Sequence, residues 1–254
     1  MIDLYNGDCL EVMDKLIEKN IKVDSIITDI PYGTTNCSWD SIIPFDEMWL
    51  RLNKLIKPNG AIVLFGSEPF SSALRMSNID DYKYDWKWNK KQGGNPLNSK
   101  IQPLKIHEDI MIFNKHNYNP IMRVGKMRTK GGVNKQPLQV GDIDVTYPSY
   151  KNNLYFPTSI LEITNADRTN RVHPTQKPIK LMEYLIKTYT NENETILDFT
   201  MGSGSTLVAC KNLNRKGIGI ELDKGYFKIA QKRVNEAIKG SSLEILEDIN
   251  LDEF

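Results

Sequence analysis

Cysteine is scarce in this 254-residue chain, which has only Cys9, Cys37 and Cys210. The three are widely spaced and form no CxxC pair, so neither a disulfide framework nor a zinc framework is expected. No apolar run approaches the ~20 residues of a membrane-spanning helix, and the first residues lack the basic and apolar regions of a secretion signal. These absences favour a cytoplasmic protein with reduced thiols and no membrane partner.

Several common ligand motifs are also missing. No Gly-Lys-Ser/Thr sequence is present, which argues against a P-loop, and the single glycine-rich turn lacks the third glycine of GxGxxG, which disfavours a nicotinamide cofactor. His107-Glu108 lacks the second histidine of a zinc-binding HExxH helix. No other cluster of His, Cys and Asp suggests metal ligands, so we expect no metal.

Short apolar runs alternate with amphipathic stretches along most of the chain. The runs predict buried strands at Val23–Thr28, Ala61–Phe65, Ile110–Phe113, Thr195–Asp198 and Gly217–Ile220. The amphipathic stretches predict helices at about 9–19, 45–57, 69–77, 178–190, 205–213 and 224–238, and Lys57–Gly60 is predicted as a helix-to-strand turn. This alternation predicts an α/β fold with a mostly parallel sheet and helices on both faces.

Residues 117–158 break this alternation with many glycines, prolines and basic residues. They predict an insertion of loops and short strands, and loops of that length are usually functional or disordered. Basic charge is concentrated in residues 83–135, which carry a net charge of +9 in a protein of net +1. Such a segment favours a local site for a polyanion, with a solvated basic surface as an equal alternative.

A glycine-rich turn follows the predicted strand Thr195–Asp198. Gly202 and Gly204 would let the backbone approach a ligand closely, because neither carries a Cβ atom. Glu221 comes nineteen residues after Gly202, a spacing that suits an acceptor for ribose hydroxyls. The Asp198 carboxylate would repel a phosphate, so the turn predicts a nucleoside that carries an amine or a positive charge.

A second polar turn, Asp29-Ile30-Pro31-Tyr32, follows the predicted strand Val23–Thr28. Ligands of open α/β sheets bind at this end of the strands, and Pro31 makes the turn rigid. The Asp29 carboxylate and the Ile30 carbonyl could accept both N–H bonds of an exocyclic amino group, while Tyr32 stacks on the ring. An ordinary strand-to-loop turn is the equal alternative.

Taken together, these turns resemble the motifs of the amino-group DNA methyltransferases. Asp29–Tyr32 is similar to their Asp-Pro-Pro-Tyr signature, although Ile30 replaces the first proline. Asp198–Thr206 resembles their cofactor loop, although Phe199-Thr200 stands where Pro-Phe is usual. Three further family-like blocks are Asn6–Leu10, His107–Ile110 and His173–Pro178. The catalytic turn precedes the insertion and the cofactor loop, which is the permuted order of the group called beta.

This resemblance implies a Rossmann-like fold with a seven-stranded mixed sheet and S-adenosylmethionine as the cofactor. The implied reaction is direct transfer of a methyl group to the N6 amine of adenine in double-stranded DNA, after the base has left the duplex. The chain would be one catalytic domain, with 117–158 as the target-recognition region and 241–254 as an acidic tail. A homodimer is a further expectation.

The resemblance also assigns residues. The catalytic set is Asp29, Ile30, Pro31 and Tyr32. The cofactor set is Asp8, Cys9, Lys177, Asp198, Thr200, Gly202, Gly204, Ser205, Thr206 and Glu221, with Lys177 expected at the methionine carboxylate. The basic segment supplies the expected DNA contacts Lys90, Lys91, Asn95 and Lys100, in a flexible loop that begins at Lys90. Trp86 and Trp88, in the same segment, are predicted to be core strand residues.

Other functions stay open on the sequence alone. The nearest alternative is methylation of N4 of cytosine, which the resemblance disfavours because the family's cytosine enzymes usually carry Ser in place of Asp29. More remote alternatives are an RNA or protein-glutamine methyltransferase and a non-catalytic DNA-binding module. The presence of Asp29 and Glu221 argues against the non-catalytic module. Methylation of cytosine at carbon 5 needs a cysteine nucleophile, usually after proline, and no cysteine here follows one.

Overall fold

A computed structural model of the chain describes residues 1–33, 41–94, 96–134, 145–165 and 176–238. The described residues divide into two compact units, one within 1–119 and 158–238 and the other within 120–157. The predicted acidic tail lies outside the described residues. None of the described helices combines the length and apolar composition that a membrane crossing requires.

Ten strands are described, and eight of them form one mixed sheet in the first unit. In chain order they are β1 (Ile2–Asn6), β2 (Val23–Thr28), β3 (Ile56–Gly66), β4 (Tyr82–Gly94), β5 (Lys105–Phe113), β6 (Arg123–Asn134), β7 (Val145–Tyr155), β8 (Ile160–Glu162), β9 (Thr195–Asp198) and β10 (Lys216–Glu221). The sheet order is β1-β10-β9-β2-β3-β5-β4-β8. The first five strands in that order, β1, β10, β9, β2 and β3, are parallel to one another. Strand β5 runs antiparallel to both β3 and β4.

Six helices of the described residues cover the sheet in two groups. They are α1 (Cys9–Glu18), α2 (Phe45–Leu55), α3 (Phe70–Ser77), α4 (Ile179–Tyr189), α5 (Ser205–Asn212) and α6 (Lys224–Glu236). Helix α2 contacts α1 and α3, whereas α5 contacts α4 and α6. Ile26 and Ile27 are neighbours in β2, so they point to opposite faces of the sheet, and both are fully buried. Both faces are therefore covered, which confirms the predicted α/β fold.

The sheet differs from the expectation in its strand count, because it has eight strands and not seven. The eighth, β8, is only three residues long and pairs with β4 through Lys87 and Ile160. The predicted turn at Lys57–Gly60 is also wrong, since these residues belong to β3. The register between β2 and β3 shifts there, and a Cβ atom on Gly60 would lie 2.5 Å from the Asp24 carbonyl oxygen. These residues thus form an irregular part of β3 and not a turn.

Strand β4 contains most of the segment that the sequence predicted as a flexible loop. Trp86 and Trp88 are buried in it, as predicted. The strand continues to Gly94, so the expected loop at Lys90 is wrong. Its pairing with β5 is irregular between Asn89 and Gly94, and Lys91 has a φ of 57° in that bulge. The bulge explains why a glycine-containing polar segment still belongs to a strand.

The described part of the second unit is an antiparallel pair of β6 and β7, of 12 and 11 residues. The predicted short strands are therefore long, and the assignment of 117–158 as an inserted region stays a prediction. Tyr155 fastens the pair, because its hydroxyl donates to the Lys126 carbonyl at 2.9 Å and the Arg128 guanidinium lies 3.8 Å from its ring centre. A two-stranded ribbon has free edges, which explains why Pro148 is tolerated in β7.

Candidate active site

A cavity of about 320 Å³ opens among residues at the carboxyl ends of the parallel strands. The chain passes from β9 to β10 on one side and from β2 to β3 on the other, so the strand order reverses between β9 and β2. Ligands of open α/β sheets bind at such a switch point, outside the carboxyl ends of the strands. Asp198 ends β9, Asp29 follows β2, and both line the cavity.

The cavity collects almost all of the predicted catalytic and cofactor residues. Its walls include Asp8, Cys9, Asp29, Ile30, Pro31, Tyr32, Lys177, Asp198, Thr200, Gly202, Ser205, Thr206 and Glu221. Gly204 is absent from these walls. It has a φ of 79°, which favours glycine, and a Cβ atom there would lie 3.0 Å from the Ala230 Cβ. Gly204 therefore lets α5 pack closely against α6.

The glycine loop is held by the side chain of Glu221. One carboxylate oxygen accepts from the Gly202 N–H at 2.9 Å, and the other accepts from the Asp223 N–H at 2.8 Å. Gly202 has a φ of 52°, a conformation that other residues adopt at a cost. A carboxylate has about four lone-pair sites, so each oxygen can accept one more hydrogen bond from a ligand. Burial raises the pKa of Glu221 above its ordinary value.

Asp198 is the most deeply buried carboxylate beside the loop, with 3% of its surface exposed. It accepts hydrogen bonds from the Thr28 hydroxyl at 2.7 Å and from the Thr200 N–H at 3.3 Å. Burial raises the pKa of Asp198 to about 6. That value is below 7, so the group is mostly a carboxylate at neutral pH and can bind an amine or a cation.

Asp8 and Cys9 form the cavity wall after β1. The Asp8 carboxylate caps α1, because it accepts from the Leu10 N–H at 2.9 Å and the Glu11 N–H at 3.2 Å. Burial raises the pKa of Cys9 to about 12. The side chain is therefore a neutral thiol at physiological pH, suited to packing and unsuited to nucleophilic attack.

The catalytic turn is tied to the cofactor loop. The Asp29 carbonyl accepts from the Thr200 hydroxyl at 3.1 Å. One Asp29 carboxylate oxygen accepts from the Tyr32 hydroxyl at 2.6 Å, and the other accepts from the Lys177 ammonium. The Tyr32 ring also packs against Phe70, with 5.1 Å between ring centres. A group held at Asp29 would thus lie next to a ligand held by the loop.

Four charged side chains extend from this turn across the cavity, and we call them the ion cluster: Asp29, Lys177, Glu108 and Lys90. Lys177 Nζ lies 3.3 Å from Glu108 Oε2, and Lys90 Nζ donates to Glu108 Oε1 at 3.0 Å. Burial lowers the pKa of Lys177, but the Asp29 and Glu108 carboxylates outweigh it and the net shift is upward. Burial alone would raise the pKa of Glu108, yet Lys177 and Lys90 hold it below its ordinary value.

The ion cluster changes the expected roles of two lysines. Lys90 lies in the cavity wall with 18% of its side chain exposed, so it is no part of a flexible surface loop. Lys177 is engaged by two carboxylates of the protein, while its expected contact with a methionine carboxylate stays a prediction. Glu108 and Trp88 line the cavity and were missed from the sequence. The His107–Ile110 block was the one signal that could have indicated Glu108.

Two other predicted DNA contacts, Lys91 and Lys100, lie away from the cavity walls. Lys91 has 53% of its side chain exposed and makes an ion pair with Glu162 at 3.2 Å. Lys100 is exposed after a single turn of 3-10 helix, Pro96–Asn98. Asn95 lies outside the described residues, as do His173–Thr175 of the block before Lys177.

Comparison with known proteins identifies the family of this chain. Residues 23–232 match the family model described as DNA methylase. The type II methyltransferase M.HpaI of Haemophilus parainfluenzae is 29% identical, over 89% of this chain and 72% of its own. M2.LlaDCHI of Lactococcus lactis subsp. cremoris is also 29% identical, over 92% of this chain and 89% of its own.

Solved structures show the same likeness. The M1.HpyAVI–SAM complex is 30% identical, with a TM-score of 0.64 over 92% of this chain and 100% of that one. The cytosine-N4-specific PvuII DNA methyltransferase has a TM-score of 0.64 at 16% identity, which shows the shared fold. The cavity suits a nucleoside sulfonium, since it holds two buried carboxylates beside a glycine turn. The chain belongs to the DNA methylase family, whose members transfer the methyl group of S-adenosylmethionine to an exocyclic amine of a DNA base.

Proposed function

We propose that the enzyme methylates N6 of adenine in duplex DNA, with Asp29 as the acceptor for the amino group. The observation that carries this proposal is the position of Asp29. Its carboxylate lines the cavity, and its carbonyl is hydrogen-bonded to Thr200 of the cofactor loop. An amine at Asp29 and a methyl donor at the loop would therefore be neighbours, which is what an in-line transfer needs.

The cofactor side of the cavity is assigned to Glu221 and Asp198. The spare lone pairs of Glu221 suit the ribose hydroxyls, and the Asp198 carboxylate suits the positive end of the cofactor. When bound, S-adenosylmethionine supplies an activated methyl group on a sulfonium. Gly202 keeps this wall open, because a side chain at a φ of 52° would be strained and would enter the same space.

The base side of the cavity is assigned to Asp29, Ile30 and Tyr32. The amino nitrogen is a weak nucleophile because its lone pair is conjugated with the ring. Accepting its two hydrogens at the Asp29 carboxylate and the Ile30 carbonyl would localise that lone pair and offset positive charge as it forms. Burial raises the pKa of Asp29, and the Lys177 ammonium opposes this shift. A raised pKa suits a group that must take up the amino proton after transfer.

Product analysis tests the choice of base. We expect N6-methyladenine in mixed-sequence DNA after incubation with S-adenosylmethionine, because a carboxylate accepts an amino proton more strongly than a hydroxyl does. Mass spectrometry of the digested nucleosides gives the answer directly. N4-methylcytosine without methyladenine would contradict the adenine assignment and leave the fold and the cofactor site unaffected.

The contacts with duplex DNA are assigned to exposed basic residues. Lys91 is the best single candidate, since it is half-exposed at a bulge of the strand that also carries Lys90 into the cavity. Replacing Lys91 with alanine should weaken binding to all sequences alike and lower the log–log salt slope by up to about 0.9. Lys19→Ala is the matched control, because Lys19 is exposed at the C-cap of α1 and is not part of the cavity wall. An unchanged salt slope in Lys91→Ala would show that Lys91 contacts no phosphate and is an ordinary solvated surface residue.

The β6–β7 pair is assigned to target recognition, as part of the 117–158 region. Its described surface combines exposed Lys126 and Arg128 with exposed Met127 and Tyr150. Cations suit phosphates, whereas the apolar groups suit base edges, so this composition supports a nucleic-acid surface.

The permuted beta order, the homodimer and the cytoplasmic location also stay predictions. Light scattering of the purified protein tests the homodimer.

A further inference from the structure

Glu108 is the one carboxylate of the ion cluster that neither the catalytic turn nor the cofactor loop contains. It lies in β5 opposite Trp88 of β4, and its side chain is 17% exposed in the cavity wall. Its Oε1 atom is hydrogen-bonded to Lys90. Its Oε2 atom is buried and lies 3.3 Å from Lys177 Nζ, a longer contact than an ordinary charge-assisted hydrogen bond. Oε2 can thus accept a closer approach of this ammonium.

Both carboxylate oxygens of Asp29 are already engaged, one by Tyr32 and the other by Lys177. An amino group that uses Asp29 must share this carboxylate with the Lys177 ammonium, whose positive charge opposes the positive charge that develops on the amine. Releasing Lys177 without a partner would leave a buried cation, which is costly. A movement of roughly 0.5 Å would turn its 3.3 Å contact with Glu108 Oε2 into a charge-assisted hydrogen bond of ordinary length.

We propose that Glu108 is a positioning residue for methyl transfer: it takes the Lys177 ammonium from Asp29 when the target amino group arrives. This inference rests on the proposed role of Asp29 as the amino-group acceptor. Lys90 supports the exchange from the other side, because it holds Glu108 Oε1 and leaves Oε2 directed at Lys177. The cation then stays buried and paired with Glu108 in both states, and only its contact with Asp29 is given up.

Glu108→Gln tests the exchange, since the amide keeps the shape and removes the negative charge. Lys177 should then stay on Asp29, and kcat should fall by about 10- to 100-fold, the value of one hydrogen bond to a charged group. The Kd for S-adenosylmethionine should change little in calorimetric titration. Glu108→Asp keeps the charge and should lose less of kcat. Glu236→Gln, in an exposed ion pair on α6, is the matched control and should keep the parent rate.

The decisive measurement is the double variant Glu108→Gln/Lys177→Met at saturating S-adenosylmethionine. If the fault in Glu108→Gln is an ammonium left on Asp29, removing that ammonium should raise kcat above that of Glu108→Gln alone. A purely structural role of Glu108 predicts the opposite, because a second buried substitution adds damage. A double variant no faster than Glu108→Gln, or a Glu108→Gln enzyme with the parent kcat, overturns the proposal.

Two further controls keep the test interpretable. If Glu108→Gln does not fold, Glu108→Asp takes its place, and Lys177→Met should then raise the kcat of that variant. If Asp29→Ala keeps the parent rate, the proposed function itself has failed. If Asp29→Ala is inactive while Glu108→Gln is fully active, Asp29 keeps its role and only the assignment of Glu108 is wrong.

Discussion

Asp29→Ala is expected to lower kcat for methyl transfer by at least about 10²- to 10³-fold, the cost of removing one preorganised group that stabilises a transition state. The substitution removes the proposed acceptor of one amino hydrogen and of the proton that the amine releases after methyl transfer. It also leaves the Lys177 ammonium, still paired with Glu108, at the place where positive charge develops on the amine. The repulsion between this ammonium and the charge on the amine should lower kcat further.

The Kd for S-adenosylmethionine should change little in Asp29→Ala. Asp29 contacts the cofactor loop only through its main-chain carbonyl, which accepts from Thr200 and is kept by alanine. Radiolabelled methyl transfer gives kcat, and calorimetric titration gives the Kd. Asp29→Asn keeps one acceptor oxygen and should be intermediate, while Asp80→Ala in an exposed turn is the control. A variant that methylates at the parent rate would remove Asp29 from the mechanism, and one that no longer binds the cofactor would reassign it.

The central strands were predictable because they are buried on both faces. The segment Ala61–Phe65 of β3, for example, is apolar at every position, and that leaves a continuous run in the sequence. Strand β4 carries the other kind of signal, since Tyr82, Tyr84, Trp86 and Trp88 alternate with polar and charged residues. The glycines near its end made that segment resemble a loop. Strand β8 was out of reach, because three residues leave no period to detect.

The parts of the site that could be predicted are those whose functional residues lie close together in the sequence. The two turns, at Asp29 and at Gly202, each combine their functional groups within a few residues, so their chemistry can be inferred from short motifs. The ion cluster is different, because Lys177 and Asp29 lie 148 residues apart and Glu108 comes from β5. Only the strand order brings those charges together. Sequence reasoning therefore assigned Lys177 to the cofactor and left Glu108 without a role.

Glu221→Ala is expected to produce the complementary defect to Asp29→Ala, a loss of cofactor binding with less change in kcat. The variant removes a carboxylate that holds the loop through the Gly202 N–H and is assigned to the ribose hydroxyls. With hydrogen bonds to a charged group worth ~1.5–3 kcal/mol each, the Kd for S-adenosylmethionine should rise by about 10²-fold or more. Interactions made equally in the ground and transition states affect KM and leave kcat at saturation.

Glu221→Gln separates the charge from the shape. In the parent protein both carboxylate oxygens accept backbone N–H groups, from Gly202 and Asp223. An amide has one oxygen, so its NH₂ group must face one of these two donors, and the loop loses a hydrogen bond although the side chain has the same size. Glu221→Gln should therefore bind S-adenosylmethionine almost as weakly as Glu221→Ala, whereas Glu236→Ala on the exposed side of α6 should bind normally. Calorimetric titration of the three variants measures this order. A Glu221→Gln protein with the parent Kd would show that neither the charge nor the paired hydrogen bonds hold the cofactor, because only the shape of the side chain is kept.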